Sequence, residues 1–257
     1  MFFMKNGKIN VSRETFWECD MEFKTELKNV FESYGFNVTD EQADAFEKYY
    51  ELIKVWNDKF NLTTILEQTD VIIKHFLDSV LICNNLKENA KLIDIGAGAG
   101  FPSVPLKIMR SDIQVVMLDG SNKRITFLNE VINQLNLKNT SAVHERCEIM
   151  AHKPEYREQF DYCVARAVAE SNVLVEYCLP FVKLFGYMIA YKSRNVNEEL
   201  DNAKKAIEIL GGKLTEVKNV SIKEINAERN LVFVQKKFKT PVKYPRGQNK
   251  PRLNPIV

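Results

Sequence analysis

Residues 91–101, with the sequence Lys-Leu-Ile-Asp-Ile-Gly-Ala-Gly-Ala-Gly-Phe, are the stretch from which the fold is read. Its apolar first half ends at three glycines spaced two apart, Gly96, Gly98 and Gly100, and a helix-like pattern follows directly. Glycine permits positive φ and lets the backbone approach a ligand without an intervening Cβ. The first N–H groups of the following helix have no partner within that helix. The stretch therefore predicts a strand, a tight turn and a helix, with a flat or charged ligand across the turn.

The spacing of these glycines indicates which nucleotide-like ligand to expect. The dinucleotide fingerprint G-x-G-x-x-G requires a glycine at position 101, where this chain has Phe101. A second apolar run, residues 114–118, ends in Asp119, whose carboxylate can accept hydrogen bonds from two ribose hydroxyls. Enzymes that bind S-adenosylmethionine (SAM) use this arrangement, so we expect SAM rather than NAD. A glycine-rich turn without a ligand explains the glycines alone, but it does not explain Asp119.

The composition is that of an ordinary globular chain, with 257 residues of which 45% are apolar. The five cysteines include no C-x-x-C pair and the three histidines have no metal-site spacing, so we expect reduced thiols and no metal. No apolar run approaches the roughly 20 residues that span a bilayer, and the N-terminus lacks a signal-peptide core. We therefore expect a cytoplasmic protein without a membrane partner.

The charge is distributed unevenly along the chain. From Arg229 onward there are eight basic residues and no acidic ones, which leaves 28 basic and 34 acidic residues, a net charge of −6, for the remainder. Four prolines predict that this basic tail is extended, and Lys-Tyr-Pro-Arg at 243–246 places an aromatic ring among cations. Two interpretations stay open, a solvated end that binds nothing and an arm that contacts phosphates.

The segment before the glycine turn is predicted to be helical. Residues 1–20 match no periodic pattern, and we expect an added or upstream extension that is poorly ordered. Apolar residues recur at helical spacing over residues 22–34 and 40–57, and Thr39 with Gln42 forms a capping box for the second helix.

A third predicted helix, residues 69–83, carries a polar face. His75, Asp78 and Ser79 lie together by the i, i+3, i+4 rule, so they point as a group toward the glycine turn. A hydrogen-bonded structural histidine is one interpretation, and a wall of the substrate site is the other.

From residue 91 onward, strand patterns and helix patterns alternate, which predicts an α/β fold with a mostly parallel sheet covered on both faces. The last two strands are predicted to form an antiparallel pair. The predicted strands are 91–95, 114–118, 141–145, 161–165, 187–191, 213–220 and 230–236, and the predicted helices are 102–110, 122–136, 169–180 and 196–210. Open sheets of this kind bind ligands beyond the carboxyl ends of their strands, so the residues that follow each strand are the candidate site.

Two further strand ends carry polar side chains. After the third strand, Glu148 is placed to accept from an adenine amino group while Cys147 supplies a backbone N–H, although a solvated loop fits equally well. After the fourth strand, Arg166 provides a fixed cation for an anionic substrate or for the cofactor carboxylate.

These motifs together resemble the bacterial 16S ribosomal RNA guanine-N7 methyltransferase family, known as GidB or RsmG. The resemblance runs from about Met21 to the end of the chain. The matching residues are Asn-Leu-Thr (61–63), His75 with Asp78 and Ser79, Asp-Ile-Gly-Ala-Gly-Ala-Gly-Phe-Pro (94–102), Asn-Lys-Arg (122–124), Phe127-Leu128, Arg146 with Glu148, Ala-Arg-Ala-Val-Ala (165–169) and Lys-Tyr-Pro-Arg (243–246).

The resemblance implies a class I SAM-dependent methyltransferase fold, which is Rossmann-like with a mostly parallel seven-stranded sheet. It implies a helical N-terminal extension at 21–88, a SAM-binding domain at 89–238 and a basic tail at 239–257. It also implies that a monomer uses SAM to methylate N7 of one guanine in 16S rRNA, either free or in the small ribosomal subunit. Guanine N7 is an in-plane lone pair without a proton, so this reaction needs alignment but no general base.

The resemblance also implies site residues. On the cofactor side these are Gly96, Gly98, Phe101, Asp119, Cys147, Glu148 and Arg166, and Arg166 is further expected to position the substrate. On the RNA side they are His75, Lys192, Lys243 and Arg246. Tyr-Lys-Ser-Arg at 191–194 departs from the usual Lys-Gly, so the shape of that loop is left open. The alternative functions are methylation of a small molecule, RNA binding in assembly without catalysis and, more distantly, NAD-dependent oxidation.

Overall fold

The computed structural model describes residues 4–5, 8–9, 13–193 and 196–257, with side chains from residue 22 onward within these ranges. Near the N-terminus, strand Met4–Lys5 pairs with strand Lys8–Ile9. Part of the segment that is expected to be poorly ordered, residues 1–3, 6–7 and 10–12, lies outside the described ranges, as does the Arg194 end of the Tyr-Lys-Ser-Arg loop.

The described residues contain one seven-stranded sheet, in the order β3-β2-β1-β4-β5-β7-β6. Its strands are β1 (Lys91–Ile95), β2 (Gln114–Asp119), β3 (Thr140–His144), β4 (Phe160–Arg166), β5 (Val182–Lys192), β6 (Gly212–Ile222) and β7 (Ala227–Lys236). Strand β7 is antiparallel to both of its neighbours, and the other pairs are parallel. The strand order reverses between β1 and β4, which is where open α/β sheets bind ligands. The predicted fold class is confirmed.

Helices cover the sheet and form the N-terminal extension. They are α1 (Arg13–Ser33), α2 (Asp40–Phe60), α3 (α-helical Gln68–Val71, π-helical Ile72–Leu77 and α-helical Asp78–Val80), α4 (Ser103–Met109), α5 (Asn122–Gln134), α6 (Cys147–Met150), α7 (Ser171–Cys178), α8 (Val196–Ile209) and α9 (Lys250–Leu253). Short 3₁₀ turns occur at Cys83–Asn85, Leu179–Phe181 and Lys223–Ile225. Helix α1 begins nine residues before the predicted start at residue 22, and the one-turn helices α6 and α9 were not predicted.

The central strands β1 and β4 are buried on both faces, and successive side chains of each strand enter opposite faces of the sheet. Leu92 of β1 belongs to the apolar cluster that includes the N-terminal helices, whereas Ile93 belongs to the cluster that includes α7 and α8. The hydroxyl of Tyr49, in α2, donates to the carbonyl of Ala99, and burial raises the pKa of this phenol well above 10. The helical extension thereby holds the glycine turn from one side.

The basic C-terminal segment is folded onto the body, which differs from the extended tail that its prolines predict. Arg157 donates to the carbonyls of Thr240 and Tyr244, each at 2.9 Å. The ring of Tyr244 is buried. Among the described residues, no helix is both long and apolar enough to cross a membrane. The same residues contain no group of three or more His, Cys, Asp or Glu that could hold a metal ion.

Candidate functional site

The turn after β1 depends on glycine for two different reasons. Gly96, Gly98 and Gly100 have φ values of +71°, +61° and +97°, a region that costs other L-residues about 1–2 kcal/mol. A Cβ on Gly96 would lie 2.9 Å from Val168 Cγ2, and one on Gly100 would lie 2.6 Å from Val104 Cγ2. A Cβ on Gly98 would meet only a backbone oxygen at 3.8 Å. The space above Gly98 leaves the backbone of the turn accessible to a ligand.

Asp119, the last residue of β2, organises this turn through its carboxylate. The N–H of Gly98 donates to Oδ2 at 2.9 Å, and the N–H of Ser121 donates to Oδ1 at 2.8 Å. Arg124 Nη1 lies 3.3 Å from Oδ2. A carboxylate has roughly four acceptor positions, so at least one on Oδ1 remains for a hydroxyl of a ligand.

Glu148, in the one-turn helix α6, is held as an ionised acceptor. Arg146 Nη2 donates to Oε1 at 3.0 Å and Cys147 Sγ donates to Oε2 at 3.3 Å. Burial opposes the negative charge, but these two hydrogen bonds and the charge of Arg146 outweigh burial, so the pKa of Glu148 is lowered. Burial also raises the pKa of the Cys147 thiol well above 9, which keeps it protonated and able to donate.

A cavity of about 360 Å³ lies beyond the carboxyl ends of β1, β2 and β3. Gly96, Asp119, Cys147 and Glu148 line it, so four of the predicted cofactor residues meet around one space. This volume suits a ligand of nucleoside size, since small-molecule sites typically occupy ~300–1,000 Å³. The cavity is also lined by residues from the loop after β4, from α7 and from the C-terminal segment, namely Val168, Tyr177, Asn249 and Arg252.

Arg166, at the end of β4, is the centre of a second polar group. Its Nη1 donates to Asp78 Oδ2 at 2.9 Å and to the Lys74 carbonyl at 3.1 Å. Its Nη2 lies 3.2 Å from His75 Nδ1, and its guanidinium carbon lies 4.9 Å from the ring centre of Phe101. Arg166 is therefore a fixed, partly buried cation. We name this group the Arg166 cluster, and its members are Thr63, His75, Asp78, Phe101 and Arg166.

His75 is neutral and fully engaged within the Arg166 cluster. Arg166 has only donors, so Nδ1 of His75 accepts and Nε2 carries the proton that it donates to Thr63 Oγ1 at 2.9 Å. Burial lowers the pKa of His75 to about 3, and the charge of Arg166 contributes to the same shift. The imidazole stacks on Phe101 with the ring centres 4.4 Å apart. The His75 side chain is therefore a fixed, neutral group packed against Phe101.

The carboxyl group of Asp94, a residue of β1, is fully buried and faces helix α4. Ser103 Oγ donates to Oδ2 at 2.6 Å, while Oδ1 has no hydrogen-bond partner among the described residues. Burial raises the pKa of Asp94 to about 7. This carboxyl group is therefore poised between its neutral and charged forms near neutral pH.

The residues predicted to contact RNA are largely engaged within the protein. Lys192 donates to the Ala169 carbonyl at 2.7 Å and pairs with Glu199. Arg246 pairs with Glu176 through Nε to Oε1 at 2.9 Å and Nη2 to Oε2 at 2.7 Å, and the Glu176 side chain is completely buried. Arg246 thus anchors the tail. Lys243 is exposed, and its Nζ lies 5.2 Å from the ring centre of Tyr244.

Residues 42–232 match the family model for rRNA small subunit methyltransferase G, called GidB. The chain belongs to the rRNA small subunit methyltransferase G family. Two curated relatives bear the name ribosomal RNA small subunit methyltransferase G. The one from Acetivibrio thermocellus is 46% identical over 241 residues, which cover 93% of this chain and 99% of the relative. The one from Desulforamulus reducens is 47% identical over 234 residues, which cover 90% and 97%.

A solved structure shares the fold of this family member. The TYW2 protein of M. jannaschii, crystallised with AdoMet, aligns with a TM-score of 0.52 at 16% identity, covering 67% of this chain and 79% of the other. The family match confirms the predicted resemblance and identifies the chain as a methyltransferase. The predicted site residues do not form one group. Four of them line the cavity, Phe101, Arg166 and His75 belong to the Arg166 cluster, and Lys192, Lys243 and Arg246 belong to neither.

Four residues that line the cavity of this methyltransferase were not predicted from the sequence, namely Val168, Tyr177, Asn249 and Arg252. Val168 lies within the quoted motif 165–169, but nothing in its type indicates contact with a ligand. Tyr177 belongs to helix α7, where the apolar pattern predicts an ordinary aromatic residue of the core. Arg252 is one of the eight cations counted in the basic tail, and Asn249 belongs to no motif. The single available signal was the Arg252 cation, which does not reveal that the tail folds back.

Proposed function

We propose that this protein methylates N7 of a guanine in 16S rRNA, with SAM as the methyl donor. The observation that carries the proposal is family membership across residues 42–232, since the curated relatives are named ribosomal RNA small subunit methyltransferases. The cavity at the carboxyl edge of β1, β2 and β3 supports the choice of donor, because its residues suit an adenosine ligand.

The donor fits the polar groups of the cavity. Asp119 keeps an acceptor position on Oδ1 for a ribose hydroxyl. Glu148, held ionised by Arg146, accepts a hydrogen bond from the adenine amino group. The open space over Gly98 leaves room for the remainder of the ligand against the backbone of the turn. When bound, SAM supplies an electrophilic methyl group carried on a sulfonium.

The chain's own residues have to align the guanine and need not remove a proton. N7 attacks through an in-plane lone pair, so positioning it in line with the sulfur and methyl carbon supplies most of the acceleration. His75, with a pKa of about 3 and both ring nitrogens engaged, suits a wall that excludes water. Arg166 is suited to hold guanine O6 or a phosphate.

Transfer of a labelled methyl group tests this proposal. The protein is incubated with methyl-labelled SAM and either unmodified 16S rRNA or unmodified small subunits, and the RNA is then cleaved chemically at 7-methylguanosine. We expect label in the RNA and a single cleavage site. Transfer to a base amine, to protein or only to small molecules would contradict the proposal.

Arg166 and Arg229 offer a matched pair of variants. Both donate to Asp78, at 2.9 Å and 2.8 Å, but only Arg166 reaches His75 and the ring of Phe101. We expect Arg166→Lys to lower kcat by about tenfold or more while the melting temperature is kept, because the planar fork is lost but the charge remains. Arg229→Lys should change kcat by less than about twofold. Equal effects would assign Arg166 a purely structural role.

A further inference from the structure

The C-terminal segment closes one side of the cavity. Asn249 and Arg252 line it together with Gly96 and Glu148, although more than 100 residues of chain separate them from either. Arg252 Nη2 donates to the Val168 carbonyl at 3.1 Å. Val168 in turn packs directly over Gly96. The guanidinium of Arg252 is therefore held at the cavity by Val168, the residue that packs over Gly96.

Arg146 connects the C-terminal segment to Glu148, the residue proposed to bind adenine. Arg146 Nη2 donates both to Glu148 Oε1 at 3.0 Å and to Asn249 Oδ1 at 3.1 Å. Asn249 has a φ of +61°, a left-handed conformation that asparagine tolerates better than most residues. The amide of Asn249 thus helps to fix Arg146, which in turn fixes the carboxylate of Glu148.

The position of this segment is built into the fold. Arg246, which precedes Asn249 by three residues, is paired with the fully buried carboxylate of Glu176. Further back, the Nζ of Lys236 is completely buried and donates to the Leu179 carbonyl at 2.7 Å. Pro251 is also buried, directly beside Arg252. Arg252 is therefore presented by an anchored segment, although its own side chain is exposed.

We propose that Arg252 binds the adenosine half of the methyl donor and that Asn249 is a positioning residue for the same subsite. This inference rests on the proposed function. Strands β1, β2 and β3 place the glycine turn, the ribose acceptor Asp119 and the adenine acceptor Glu148 in sequence along the sheet edge. Arg252 lines the same cavity, where its planar guanidinium can lie against the face of the base. Asn249 acts through Arg146 to keep Glu148 oriented.

Equilibrium binding to the full-length protein, measured by calorimetry, tests the role of Arg252. The probes are S-adenosylhomocysteine and 5′-methylthioadenosine, which share the adenosine half while only the first has the amino-acid half. We expect Arg252→Ala to raise Kd for both probes by about tenfold or more, equivalent to about 1.4 kcal/mol. Arg252→Lys should raise Kd for both probes to a similar extent, because an ammonium group has no planar face to stack on the base.

Lys250→Ala is the matched control, because it removes the same charge from the same short helix at an exposed position that does not line the cavity. We expect its Kd values to stay within about twofold of the unmodified protein. Loss confined to S-adenosylhomocysteine, or equal loss in Lys250→Ala, would overturn the proposal. Unmodified protein that binds neither probe would overturn the proposed donor and this inference together. Tight binding that survives in Arg252→Ala would overturn this inference alone.

Asn249→Gly tests the second residue without backbone strain, since glycine adopts a φ of +61° freely. We expect Kd for both probes to rise about threefold, the size of one lost hydrogen bond. Thermal unfolding without ligand should be unchanged within about 2 °C, which separates loss of binding from loss of folding. Unchanged Kd values would remove Asn249 from the site.

Discussion

At the scale of single residues, the glycines of the turn differ in what surrounds them. Gly98 faces open space at φ +61°, whereas a Cβ on Gly100 would lie 2.6 Å from Val104 Cγ2 and 2.8 Å from the Tyr49 hydroxyl at φ +97°. We expect Gly98→Ala to lower the free energy of unfolding by about 1 kcal/mol and Gly100→Ala by about 3 kcal/mol or more, because the second adds overpacking to strain. Urea unfolding measures both. Equal losses would show that Val104 and Tyr49 move aside at no cost.

Two buried titratable residues give opposite pH dependences. The pKa of Asp94 is raised from 3.8 to about 7, and that of His75 is lowered from 6.5 to about 3, in both cases chiefly by burial. Between pH 3.8 and 6.5 the folded chain therefore holds the Asp94 proton that the unfolded chain has lost, so this contribution to stability falls as pH rises. The unfolded chain holds the His75 proton that the folded chain lacks, so that contribution rises with pH.

Single variants should separate these opposing slopes, each of about 1.4 kcal/mol per pH unit at most. Relative to the unmodified protein, Asp94→Asn is expected to become progressively more stable as pH rises from 4 to 6.5, and His75→Gln progressively less stable. Urea unfolding at several pH values gives the two difference curves. Difference curves that are flat across this range would show that neither pKa is shifted by folding.

At the scale of elements, helix α2 depends on a reciprocal cap. Thr39 Oγ1 accepts from the Gln42 N–H at 3.2 Å, and Gln42 Oε1 accepts from the Thr39 N–H at 3.0 Å. Gln42 also donates to the carbonyls of Ile108 and Met109 at the end of α4. We expect Thr39→Ala to cost about 1 kcal/mol and Thr39→Ser much less. Gln42→Ala should cost more than Thr39→Ala, as measured by thermal unfolding, and a smaller cost would mean that the bonds to α4 contribute nothing.

The sequence predicted this cap and most of the sheet because both leave local patterns. Strand β2 and helix α2 follow from apolar spacing within a few residues. The π-helical segment Ile72–Leu77 has no such signature, since an inserted residue shifts the helical repeat without changing composition. Helices α6 and α9 are four residues each, too short to show a period. Strand β5 begins at Val182, five residues before its predicted start. Lys183 and Gly186 break the apolar run there, so the sequence pattern placed the start of the strand too late.

At the scale of the whole molecule, folding brings cations of the basic tail against acidic residues that are distant in the sequence. Arg229 pairs with Asp78 across 151 residues of sequence, and Arg246 pairs with Glu176 across 70 residues. Lys236 likewise pairs with Glu158, so three of the eight cations of the basic tail are in internal ion pairs. Such distant partners cannot be read from a charge pattern, and they leave fewer cations for the phosphate-contacting arm that was one of the two interpretations of this tail. For the same reason the cavity residues on β1, β2 and β3 were predictable from strand ends, whereas the tail residues that complete the cavity were not.

The ion pair between Arg246 and Glu176 should therefore hold the tail against the body and keep the cavity wall in place. We expect Arg246→Ala to lower the free energy of unfolding by about 3 kcal/mol, because it leaves a fully buried carboxylate without its partner. Adding Glu176→Gln should restore part of this loss, since a neutral amide costs less to bury. Lys243→Ala, at an exposed position of the same segment, is the control and should change stability by less than about 0.5 kcal/mol. Urea unfolding and limited proteolysis of the tail measure these effects, and equal stability of Arg246→Ala and Lys243→Ala would show that the tail is held by its other contacts.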